Sequence, residues 1–131
     1  MSQENVETVH AAVDALNRGD VDAALKDAAP DFELDQSRAL GPNRGVFGLD
    51  DVRRVWYEFI ETWEAFQIGA NELIDAGDHV VMPFTSDFRG REGVEVQARG
   101  VWVWTIRDDA IMRVCLYQER NEALEAAGLS E

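Results

Sequence analysis

A chain of 131 residues with 46% hydrophobic side chains is long enough for one domain with a real core, and too apolar for a disordered segment. Its 26 acidic residues against 12 basic ones give a formal charge of −14. Such a field repels phosphate backbones and anionic lipid, which argues against nucleic-acid and membrane-surface roles, and otherwise reads as a solvated surface.

The first helix announces itself by Val6, Val9, Val13 and Leu16, which recur on one face. Ser2 can cap it, Glu4 suits its first turn, and Gly19 is a natural stop. Asp20 then caps a shorter helix carrying Val21, Ala24, Leu25 and Ala28, with Pro30 after it to prevent extension. Residues 32–36 alternate as a short strand. Residues 41–45 are a loop by composition, since they contain Gly41, Pro42 and Gly45. A third helix starts at Asp50 or Asp51. Val52, Val55, Trp56, Phe59, Ile60 and Trp63 give it a broad apolar stripe opposite Arg53, Arg54, Glu58, Glu61 and Glu64.

From Phe66 onward the period is that of strands. Residues 66–74, 79–88, 94–106 and 111–119 are separated by turn sequences, and the last three form a natural antiparallel meander. Pro83 argues for an edge position or a bulge in the second of these. Residues 121–127 form a short final helix ending at Gly128. Helices gathered early and strands late predict one α+β domain over residues 1–131 with an antiparallel sheet.

The lone Cys115 lies between Val114 and Leu116 and reads as a buried structural thiol. The polar opening residues lack a signal-peptide pattern, and no run reaches the roughly 18 apolar residues of a spanning helix. The chain therefore reads as cytoplasmic. Two separated histidines, His10 and His79, have no matching ligand spacing, and no glycine-rich phosphate loop follows a strand. Neither a metal nor another cofactor is expected. His10 reads as a boundary residue and His79 as exposed.

Several stretches in this order resemble the SnoaL-like branch of the nuclear-transport-factor-2-like superfamily. They are residues 15–25 (ALNRGDVDAAL), 30–35 (PDFELD), 45–52 (GVFGLDDV) and 122–129 (EALEAAGL). The resemblance implies a cone in which a strongly bent sheet and its helices enclose a pocket open at one end. It also implies a homodimer through the outer sheet surface, where Arg113, Cys115 and Tyr117 alternate. Its members include ketosteroid isomerases, polyketide cyclases, epoxide hydrolases and non-catalytic binding domains, so activity has to be argued from the pocket residues.

Set against the isomerase pattern, Gln36 falls at the position of the carboxylate base, Ala12 at the tyrosine and Trp102 at the protonated acid. Against the epoxide-hydrolase pattern, Asp87 matches one carboxylate, but Thr85 and Leu116 replace the arginine and the second acid. Cyclases of the family use an aspartate in a hydrophobic cavity, which leaves Asp35 or Asp87 as candidate general acids or bases. Strand alternation points Asp35 away from the face of Gln36.

Trp102 and Trp104 share a face of the long strand, after the small Ala98 and Gly100. They either fill the core or form an aromatic wall for a planar ligand. Gln36 and Gln118 are the expected polar contacts, and Leu34, Leu116 and Trp56 complete the expected lining. Arg38 can reach the pocket mouth or pair with Asp35. Three readings follow: a pocket protein for a small apolar or aromatic molecule, an isomerase, cyclase or hydrolase using Asp35 or Asp87, and a non-catalytic dimeric interaction module.

Overall fold

The computed structural model describes residues 2–39 and 44–129. The side chain of Ser2 and loop residues 40–43 lie outside the described residues, and with them the expected Ser2 cap and most of the expected 41–45 loop. The chain runs α1 (Ser2–Asn17), α2 (Val21–Ala24), β1 (Ala28–Asp35), β2 (Val46–Gly48), α3 (Leu49–Thr62), β3 (Ala65–Ala70), β4 (Ile74–Ala76), β5 (His79–Arg89), β6 (Glu95–Arg107), β7 (Ala110–Tyr117) and α4 (Arg120–Ala126). No helix among the described residues is long and apolar enough to cross a membrane.

The architecture is α+β, with a curved, unclosed sheet in the order β2-β1-β7-β6-β5-β3 and β4 beside β5. β5, β6 and β7 form the antiparallel meander. One pair departs from the expected antiparallel sheet: β1 runs parallel to β7. The two-residue turn between β6 and β7 holds Asp108 and Asp109 at φ 51° and 64°, the left-handed geometry that fits the twist of a tight hairpin and that aspartate tolerates.

Both prolines of the strand region explain a difference from the alternation pattern. β1 begins at Ala28, before Pro30, and its register with β7 slips between Ala28 and Glu33. Pro30 thus sits where the ladder is interrupted and no N–H is needed. Pro83 lies inside an interior strand with continuous register to β6, neither at an edge nor at a bulge. Its missing N–H coincides with the gap between β3 and β4, where Asn71 N–H donates to Pro83 O at 2.9 Å. The single strand expected over 66–74 is therefore two strands.

The sheet has an apolar layer on each side. On the inner face, Val9 and Val13 of α1 pack with Phe32, Leu34, Val80, Met82, Trp102, Trp104 and Val114. On the outer face, Ala123, Leu124 and Ala127 cover Val81, Val101, Val103, Cys115 and Tyr117. Gly19 takes φ 77° at the end of α1, where its N–H donates to Leu16 O. Asp20 Oδ1 accepts the Ala23 N–H at 3.0 Å and caps α2.

Candidate functional site

The apolar stripe of α3 is the first sign of a cavity. Only Val52 of this helix is fully buried. Val55, Trp56, Phe59 and Ile60 stay half-buried although they face the sheet, because they border a cavity of about 160 Å³ rather than a packed core. The opposite wall comes from alternate residues of the inner strand faces: Phe66 and Ile68 of β3, Phe84, Ser86 and Phe88 of β5, Trp102 of β6 and Leu116 of β7. Leu16 of α1 and Gln36, just past β1, complete it.

Aromatic rings dominate the wall. Phe84 and Trp102 lie 4.9 Å apart between centroids, and Phe59 meets Phe88 edge-on at 5.2 Å. Trp63 stacks on Phe88 at 5.1 Å, and the exposed Val94 and Val96 continue the apolar surface beside it. Gly100 shapes the floor. A Cβ there would lie 3.1 Å from both Leu116 Cδ1 and Phe84 Cζ. Two wall side chains thus fill the space beside this glycine.

Four of the expected lining residues converge here: Gln36, Trp56, Trp102 and Leu116. Gln36 is fixed through its backbone, which exchanges hydrogen bonds with Gly45 at 2.7 and 3.2 Å. Three others stand elsewhere. Leu34 and Trp104 belong to the packed core, at 0% and 2% exposure. Gln118 is exposed beyond β7 and donates to Arg38 O at 2.8 Å, because β7 ends at Tyr117 and the chain turns into α4.

Both candidate acids lie on the other side of the sheet. Asp35 is buried there, next in register to Cys115. Its Oδ1 accepts the Ser37 N–H at 3.0 Å and the Ser37 hydroxyl at 2.7 Å, and its Oδ2 accepts from Arg113 Nη2 at 2.6 Å. Burial pushes the Asp35 carboxyl up, but these hydrogen bonds and the guanidinium outweigh it and hold the group below its ordinary value. It is a structural anion tying β1 to β7. Asp87 points to the outer face, since Ser86 and Phe88 on either side point inward, and it accepts from Gln97 Nε2 at 2.9 Å. The depression it borders, with Gln67, Arg89 and Glu95, has a larger volume of about 610 Å³. That depression is more open to solvent and more polar than the inner cavity, so the smaller, more closed and mostly apolar cavity is the better site.

Arg38 also lies on the outer side. Its guanidinium sits 4.5 Å over the Tyr117 ring, 3.4 Å from Cys115 Sγ and 4.0 Å from Asp35. Burial raises the pKa of the Cys115 thiol, which makes it a poor nucleophile. His10 is exposed beside Asp14, and His79 is half-buried, not exposed, with Nδ1 3.0 Å from Thr105 Oγ1. Among the described residues no three His, Cys, Asp or Glu side chains converge on a common point for a metal.

Two residues with structural weight have faint sequence signals. Ser86 interrupts an inner column otherwise made of Val80, Met82, Phe84 and Phe88. Asn17 sits four residues after Val13, on the core-facing side of α1.

Residues 9–114 match the family model described as the SnoaL-like domain. No curated protein sequence matches the chain significantly. Among solved structures, AclR from Streptomyces galilaeus is similar over 98% of both chains, with TM-score 0.76 and 15% identity. TerC, co-crystallised with polyporic acid, is similar over 95% of this chain and 98% of its own, with TM-score 0.74 and 20% identity. An NTF2-like protein from Burkholderia thailandensis is similar over 87% of this chain and 89% of its own, with TM-score 0.75 and 26% identity. The helices leading into a curved sheet and the match over residues 9–114 agree, and the chain belongs to the SnoaL-like domain family.

Proposed function

We propose that this chain is a pocket protein that binds a small, mostly apolar or aromatic molecule in the inner cavity, with no carboxylate of its own in contact with it. The carrying observation is the lining: among the described residues it consists of aromatic and aliphatic side chains with two polar ones, Gln36 and Ser86, and no acid or histidine. Volume limits the ligand. An apolar cavity of about 150 Å³ accommodates benzene, whereas drug-sized ligands occupy roughly 300–1,000 Å³. At about 160 Å³ this cavity suits one ring, not a fused polycycle. TerC, which shares the fold, was co-crystallised with polyporic acid, and this is in keeping with an aromatic ligand. The isomerase, cyclase or hydrolase alternative would need Asp35 or Asp87 at the cavity, and both face away.

Toluene is the probe. Calorimetric titration is expected to show binding with a Kd of about 0.1–1 mM, accompanied by a change in tryptophan fluorescence. Val55→Trp, which places an indole in the space from the half-buried face of α3, is expected to abolish binding while far-UV circular dichroism stays unchanged. Asp35→Asn and Asp87→Asn are expected to leave binding unaltered. Undetectable binding to the unmodified chain, or full binding by Val55→Trp, overturns the reading.

Pairing of two copies is a second proposal. The cover of α4 over Cys115 and Tyr117 directs it to the remaining outer strip of Gln67, Asp87, Arg89 and Gln97. Sedimentation velocity is expected to give a dimer mass, and a concentration-independent monomer counts against it. A cytoplasmic location goes with the same reading, supported by a single, buried, unpaired thiol.

A further inference from the structure

We propose that the ligand carries one hydroxyl or carbonyl oxygen on its ring and that Ser86 binds that oxygen; this rests on the cavity reading above. Ser86 is on the inner face of β5, between the rings of Phe84 and Phe88, and opposite Ile68 of β3 and Ala98 of β6. It lines the cavity and is only 3% exposed. Its hydroxyl has no hydrogen-bond partner among the described residues. The same inner column reads Val80, Met82, Phe84 and Phe88, so an apolar side chain at this point would simply extend the wall.

A hydroxyl that borders an apolar cavity and has no protein partner is favourably placed only when a polar atom inside the cavity bonds to it. Serine adjacent to its own strand backbone can satisfy itself locally, but no such bond forms here. The remaining way to compensate it is a polar atom in the cavity. A serine hydroxyl both donates and accepts, so it fits a phenol or alcohol as well as a ketone. Gln36, on the same wall, sets no competing demand for a charged group, and among the described residues no lysine or arginine lines the cavity. A carboxylate or phosphate ligand would therefore be left without a counter-charge.

Phenol and toluene are near-isosteric and separate the oxygen from the ring. Calorimetric titration of both into the full chain and into Ser86→Ala gives two ratios of dissociation constants. The expected result is that phenol loses about tenfold relative to toluene on going to Ser86→Ala, the worth of one hydrogen bond. Ser86→Thr, which keeps the hydroxyl, is expected to hold the wild-type ratio. An unchanged ratio in Ser86→Ala, with both probes still binding, overturns the role of Ser86 and leaves the cavity reading standing. Failure of both probes to bind the unmodified chain overturns both.

Discussion

Replacing Trp104 by alanine is expected to lower the unfolding free energy by about 3–5 kcal/mol, read from urea titration by circular dichroism. Trp104 is 2% exposed and stands between Val80 of β5 and Val114 of β7, with Trp102 edge-on at 5.9 Å. Its indole N–H makes no hydrogen bond among the described residues. The loss is therefore one of dispersion and of the void left behind, and the close-packed strands around it can collapse only partly. Trp56→Ala provides the contrast. That indole is half-buried against an existing cavity, so its removal is expected to cost under about 2 kcal/mol and to weaken toluene binding instead. A loss below about 1 kcal/mol for Trp104→Ala would show that this side chain is not part of the close-packed core.

Asn17→Ala is expected to destabilise the chain by about 2 kcal/mol, through two hydrogen bonds at one point. Asn17 Nδ2 donates to Ile68 O at 2.9 Å, and its Oδ1 accepts the Ile68 N–H at 2.7 Å. The carboxamide thus stands in for a neighbouring strand along the outer edge of β3, and it anchors the end of α1 to a cavity-wall residue. Only a group that both donates and accepts can do this. Asn17→Asp keeps the acceptor for the Ile68 N–H but sets a carboxylate oxygen against the Ile68 carbonyl, so it is expected to be at least as damaging as alanine. Hydrogen exchange at the Ile68 amide should accelerate in both variants. Stability of Asn17→Ala within about 0.5 kcal/mol of wild type would mean that the edge is solvated without loss.

How much of this was legible follows from what alternation and helical spacing can carry. The stripe Val9, Val13 and Leu16, the α3 stripe and the β5–β7 meander were all readable, because each face is defined by a local period. Alternation also put Asp35 opposite Gln36, as observed. It could not tell Trp102 from Trp104. Both share one face of β6, yet only Trp102 reaches the cavity, because depth along a strand depends on which helix lies above it. Gln118 was taken to continue β7, but pairing of β7 with β6 ends at Tyr117.

The acidic surface, the α+β order, the family resemblance and the alternation that turns Asp35 from the face of Gln36 were already present in the sequence, since these rest on composition and local periodicity, whereas Asp87 remained a candidate acid until its place on the outer face was seen. The tertiary structure alone decided that β1 joins β7 in parallel, that Pro83 faces a gap between two strands, and that Asn17 and Ile68 meet across 51 positions of chain. It also decided that Ser86 lines the inner cavity. These outcomes depend on contacts between residues far apart in sequence, for which no local spacing carries a signal.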